Sequence, residues 1–169
     1  MSVRFGEDTL IIPAFGPFGM VGDTDSVCSF VDLDLANWVT FLVSFGVATS
    51  GASTAVDLVL VTVMGSSIAS TASGTLIGFD YRLSEAIATH GWGAITDGTT
   101  AGTSFTTQGG ALSQRSILID VDPNDVGALG EAHRWVGVKL LPTTTMTVAV
   151  SVTALVEPRY PGNGIPSSS

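Results

Sequence analysis

The stretch ILIDVDPND, residues 117 to 125, sets Asp120, Asp122, Asn124 and Asp125 behind a run of aliphatic side chains. Oxygen donors at alternate positions are what a calcium loop uses, in the pattern D-x-[DN]-x-[DN]-G-x5-E. Counting from Asp120, the donors fall on positions one, three and five (Asp120, Asp122, Asn124), and Glu131 falls on position twelve. Position six requires a glycine for its sharp backbone turn, and here it is Asp125. Pro123 interrupts the loop, and SILI before it has strand character where an EF-hand needs a helix. The helix-loop-helix reading therefore fails. A looser calcium site at Asp120, Asp122 and Asp125 is the alternative to the reading adopted here, a strand running into a turn, with Asp120 and Asp122 facing solvent between core Ile119 and Val121. No cofactor or metal is expected.

Other chemistry is sparse. His90 and His133 are the only histidines, and no G-x-S-x-G elbow accompanies them. Gly91-Trp92-Gly93 lacks the third glycine and the following helix of a dinucleotide loop. Carboxylate pairs suitable for glycoside hydrolysis can be drawn from any Asp-rich sheet and carry no specificity. An enzyme is not expected. Cys28, the single cysteine, has no partner for a disulfide or a zinc site, and its neighbours Val27 and Phe30 predict a buried structural thiol. Trp38 and Trp135 lie within apolar runs and are expected in the core. Trp92, between two glycines in a loop, is the tryptophan open to exposure, and it fits a binding hot spot and a packing plug equally well.

The elements that must position these residues are strands. At 169 residues the chain is long enough for one core and short for two. Charged residues make up 12% and apolar ones 45%, a profile of short strands and turns rather than helix bundles. A net charge of −9 leaves too little positive charge to neutralise a row of phosphates, so direct nucleic-acid binding is not expected. The most apolar region, residues 41 to 66, is broken by Gly46, Gly51 and Asp57 and does not suit a membrane helix. Glu7 and Asp8 stand where a secretory signal needs an apolar core, so synthesis in a cytoplasm is expected.

Dense β-branched and aromatic runs at 37 to 47, 56 to 64, 75 to 82, 103 to 108, 116 to 122, 134 to 141 and 145 to 157, with two more near the start, predict eight or nine strands. The fold class expected is all-β, an antiparallel β-sandwich of jelly-roll type. In TMTVAVSVTALV a slip near Ala154 suggests a bulge that leaves Leu155 in the core. LSEAIATHGWG (83 to 93) is read as a loop excursion. The chain divides into an N-terminal segment with the first strands (1–35), the sandwich (36–157) and a proline-rich extended arm (158–169).

Several segments in order, WVTFLVSFGVATSG, GFDYR with a WGAIT loop, ILIDVDPNDVG with HRWVGVKLL, and VTALVEPRYPG, resemble the small structural proteins of tailed-bacteriophage heads over about residues 36 to 162. The resemblance implies a virion protein made in the host cytoplasm, a capsid decoration or cement protein of jelly-roll type. Its implied partners are the major capsid protein and further copies of itself, with a trimer favoured, and neither membrane nor nucleic acid. Trp92, together with Arg159 and Tyr160 of the PRYPG segment, is a candidate partner contact. A carbohydrate-binding or adhesion module, with Trp92 and Tyr81 stacking on a glycan, is the alternative.

Overall fold

The computed structural model describes residues 9–21, 26–34, 36–50, 58–69, 74–85, 91–96, 104–108, 113–130, 132–142 and 147–159. Among them eleven strands and one short helix form in the order β1 (Leu10–Val21), β2 (Ser26–Val27), β3 (Val31–Asp32), β4 (Ala36–Ser50), β5 (Leu58–Ser66), β6 (Thr75–Ile77), β7 (Asp80–Leu83), β8 (Ser104–Gln108), β9 (Ser116–Val121), α1 (Pro123–Gly127), β10 (Trp135–Pro142) and β11 (Thr147–Pro158). His90, Glu131, Tyr160 and the arm from 160 onward lie outside the described residues.

All pairings are antiparallel, and one set of them is nested: β1 pairs with β11, β2 and β3 with β10, β4 with β9, and β5 with β8. First meets last and each later strand meets an earlier one in reverse order, so the chain is one long ribbon doubled on itself. Contacts of β11 with β4 and of β10 with β5 close this ribbon into two sheets, β1-β11-β4-β9-β7 and β2-β10-β5-β6. This is the jelly-roll arrangement of an antiparallel sandwich.

Inward side chains follow the two-residue period of a strand. Val39, Phe41, Val43 and Phe45 of β4 and Ile117, Ile119 and Val121 of β9 are buried from one sheet, and Val59, Val61 and Val63 of β5 with Val136, Val138 and Leu140 of β10 from the other. Stiff β-branched side chains suit such a layer because little rotamer freedom is lost on packing.

Several sequence expectations change. The run 75 to 82 is two strands, β6 and β7, in different sheets, with Phe79 buried at the crossing. Ala154 sits in continuous register with β4 from Val150 to Glu157, so it and Val156 are core while Leu155 turns to the outer face. Against β4 the shifts lie toward the strand ends, at Thr147/Val148, Val148/Val150 and Glu157/Pro158, while against β1 one falls between Pro13 and Phe15, opposite Thr153 and Val152, with the extra residue on β1. The one helix among the described residues is α1, within the stretch read as a turn. Of LSEAIATHGWG, the described ends pair back to back, with Ser84 opposite Trp92.

A bulge joins β2 to β3. Val27 faces Lys139 and Val31 faces Val136, four residues advancing against three. The extra residue leaves Phe30 over Gly137, where an added Cβ would lie 3.1 Å from the ring. Cys28 fills the same irregularity: its N–H donates to the Val138 carbonyl at 2.9 Å, and its Sγ accepts the Val138 N–H at 2.9 Å. The Ser29 N–H donates to the Ala14 carbonyl at 2.8 Å, tying this edge to β1 of the other sheet. Burial pushes the Cys28 thiol up to about 12, outweighing the hydrogen bonds that favour its thiolate.

Gly137→Ala is expected to destabilise the fold by about 2 kcal/mol through overpacking against Phe30, read from urea denaturation. The Cys28 thiol ionises from an ordinary value of 9.0 when unfolded and about 12 when folded, so stability present below pH 9 is lost as pH rises between them. The loss from this group is about 1.4 kcal/mol per pH unit in that window. Cys28→Ala should remove that component, so its denaturation midpoint falls less between pH 8 and pH 10.5 than that of the unsubstituted chain.

Candidate functional site

The aspartates of the opening stretch take separate structural roles. Asp120 lies on the outer side of β9 opposite Thr40 and Asp80, and the Thr40 hydroxyl donates to its Oδ1 at 2.6 Å. Asp122 caps α1: its Oδ1 accepts both the backbone N–H and the side-chain amide of Asn124 at 2.8 Å, with Pro123 beginning the helix. Asp125 follows in the first turn, and its carboxyl is pushed above the ordinary range by desolvation, then by repulsion from Asp122 and Asp80. Among the described residues no group of three His, Cys, Asp or Glu side chains is placed to hold a metal ion.

The helical turn has a packing role as well. Val126 is buried, and together with Leu129 it comes over Gly65 of β5, where an added Cβ would meet Leu129 Cδ1 at 2.7 Å. This plugs one end of the sandwich. Beside the plug is a cleft of about 740 Å³ whose wall includes Asp34, Asn124, His133, Arg134, Trp135 and Arg159.

An ion pair holds the cleft together. Asp32 is buried; its Oδ1 accepts the Asp34 N–H at 3.0 Å, and its Oδ2 lies 3.1 Å from the Arg134 guanidinium. Arg134 also reaches Asp34 at 3.5 Å and lies 5.6 Å over the ring of Trp135. The two carboxylates offset its charge, so the cleft is not a cationic trap. Arg159 uses its Nε–H to donate to the Ala36 carbonyl at 3.1 Å. His133 has a buried Nδ1 without a hydrogen-bond partner, beside Gly130, whose φ of 145° suits glycine. The sequence reading missed Asp32 and Arg134, and weighed His133 only as one of two histidines. The available signal was an acid inside the apolar run FVDL, a position where an unpaired charge would be costly.

Of the residues expected to contact a partner, Arg159 lines this cleft, Trp92 is exposed at the edge beyond β7, and Tyr160 lies outside the described residues. The expectation that Trp38 and Trp135 are core fails. Trp38 falls on the outward register of β4 and is exposed, and Trp135 is half-buried at the start of β10 under Arg134. Both have the strand context of core residues but the opposite parity.

The outward register of the five-stranded sheet is more distinctive. Opposed residues of antiparallel strands share a face. One row across it reads Ile11, Leu155, Thr40, Asp120, Asp80, and the next Pro13, Thr153, Leu42, Leu118, Arg82. A third holds Ser151, Ser44 and Ser116, the last two with hydroxyls 3.2 Å apart. Leu42, Leu118 and Leu155 are thus aliphatic side chains carried on the side of the sheet away from the core.

No family model matches the chain, and no curated protein matches it. Among solved structures it is similar to one of infectious bursal disease virus, Gt strain, at 13% identity and a TM-score of 0.25, over 95% of this chain and 43% of that one. The chain spans less than half the length of that viral chain, and similarity of this degree carries no functional argument.

Arg134→Ala leaves Asp32 buried without its counter-ion. It is expected to cost about 2 kcal/mol, measured by urea denaturation, the half-exposed arginine placing it below the range for fully buried pairs. Arg134→Lys should restore part of the loss.

Proposed function

We propose that the chain is a structural protein of a virus particle, and more narrowly a decoration or cement protein of a bacteriophage head that bridges subunits of the major capsid protein and catalyses no reaction. The observation that carries the reading is the outer face of the five-stranded sheet. A chain with a net charge of −9 presents there rows of leucine, threonine, serine and proline, with Asp120, Asp80 and Arg82 gathered on the β9–β7 side. Covering the β1-β11-β4 side of such a face removes aliphatic surface from water.

Two further points support it. The segments that resemble head proteins fall on strands β4, β7, β9, β10 and β11, with the WGAIT loop at the β7 edge, so the resemblance spans the scaffold rather than one motif. Nested pairing makes that scaffold stiff, which suits a part that must transmit force between neighbours. The fold alone does not select the reading, since jelly rolls also serve as lectin and cupin domains. Exposed Trp92 favours the second reading, a glycan-binding module, because a flat indole at a sheet edge can stack on a sugar ring.

Purified chain mixed with phage heads that lack it should co-sediment with them and raise the temperature at which they release DNA. A chain that stays in the supernatant and leaves that temperature unchanged, while binding a glycan array through Trp92, would replace the structural reading with the second.

A further inference from the structure

We propose that the outer face of the five-stranded sheet is a self-association surface, on which two copies of this chain pack face to face about a two-fold axis running across the strands. The inference rests on the bridging role proposed above and names what covers the face.

Exposed apolar side chains gather there. Seven large hydrophobic residues are exposed among the described residues, and five belong to this sheet or its edge segment: Ile11 (56% exposed), Trp38 (40%), Val47 (56%), Trp92 (42%) and Ile95 (55%). Ile11 is paired with Leu155 and Trp38 with Glu157 on the outward register, and Trp92 is paired with Ser84, two residues beyond outward Arg82. Exposed apolar surface marks an interaction site, and here it falls in patches at Ile11 and at Trp92 and Ile95, separated by Asp120 and Asp80.

The size of the face fits a pair of copies. At about 4.8 Å between strands and about 3.4 Å per residue, β1, β11 and β4 over the span 38–46 with the shorter β9 and β7 give roughly 600 Å², the low end of the standard range. A stable interface of standard size covers roughly 800 Å² on each partner. Two sheets packed face to face bring their side chains into one layer, as the inner faces of this sandwich already do.

The arrangement of charge selects the operator. Asp80, Asp120 and Glu157 all lie toward one end of the strands, beside Thr40 and Trp38, whereas Ser44, Ser116, Ser151 and Ala149 lie toward the other. A two-fold axis across the strands, through the row of Leu42, carries the acidic end of each copy over the hydroxyl end of its partner. Asp120 then faces the Ser116 hydroxyl of the second copy and Glu157 faces Ala149, so carboxylates do not meet one another. Arg82 lies on the axis row and meets its own copy at the β7 edge, at the rim of the contact, where water screens the repulsion. An axis along β4 would set Asp120 against Leu155 and Asp80 against Ile11, burying carboxylates on aliphatic side chains, and is disfavoured. The isologous contact closes as a pair, in place of the trimer anticipated from the resemblance. Each pair offers two copies of every remaining surface, so two capsid subunits can be held at once.

Sedimentation equilibrium of the full chain at micromolar concentrations tests this. The unsubstituted chain should have twice the monomer mass. Leu42→Arg, at the centre of the face, should weaken the pair by roughly 30-fold or more. Ile11→Glu, at an exposed position that does not disturb folding, should also weaken it, while Ile68→Glu, exposed after β5, should not. Unchanged circular dichroism confirms that the variants are folded. Monomeric or trimeric mass for the unsubstituted chain, or a pair that survives both Leu42→Arg and Ile11→Glu, overturns the inference. A monomer that binds heads and protects them overturns the pairing and leaves the bridging role standing. A pair sensitive to Leu42→Arg that ignores heads does the reverse. Head binding by a monomer that is lost in Leu42→Arg assigns the face to the capsid and also overturns the pairing.

Discussion

Everything in this fold depends on β11 lying between β1 and β4. β1 comes from the opposite end of the sequence, and β4 lies more than a hundred residues before β11, yet both ladders are long and antiparallel. Until the last strand is in place, the five-stranded sheet consists of a lone edge strand and a separate group of three. Such a topology places most of its contacts far apart in sequence, which makes assembly slow and cooperative. The same closure gives rigidity, because no strand at the centre of either sheet can leave without breaking ladders on both sides.

The ends and edges of the sandwich are finished by irregularities rather than by regular pairing. The bulge between β2 and β3 moves Phe30 onto Gly137, lets the thiol of Cys28 replace a carbonyl as acceptor, and frees the Ser29 N–H to reach β1. At the adjoining end, α1 plugs the core with Val126 while the Asp32–Arg134 pair holds the cleft wall. A buried carboxylate is tolerable here because a guanidinium and a backbone N–H both meet it. Asp32, Asp34 and Arg134 are thus occupied with one another, while the Nδ1 of His133 is buried without a partner.

The outer face of the five-stranded sheet has no such internal explanation. Its leucines, threonines and serines fill registers where most half-exposed sheets carry charge, and its carboxylates are confined toward one strand end. A surface of this composition gains free energy when covered, and its charge distribution favours some coverings over others. On the proposed reading, the protein acts through this face of the sheet.

The sequence by itself determined the class of fold. Alternating β-branched residues can only bury one face of a strand, so the antiparallel sandwich, the buried thiol of Cys28 and the exposure of Trp92 were all legible. What it left undetermined has one physical origin: parity and pairing are relations between segments. Trp38 and Trp135 sit in apolar runs like core residues, and only register against β11 and β5 shows Trp38 turned outward and Trp135 at a strand end. TLIGFDYR is one apolar stretch in sequence but crosses between sheets at Phe79, because its two halves find different partners, β5 and β9. The ion pair of Asp32 and Arg134 and the apolar rows of the outer face join residues distant along the chain, so only the tertiary structure decided them.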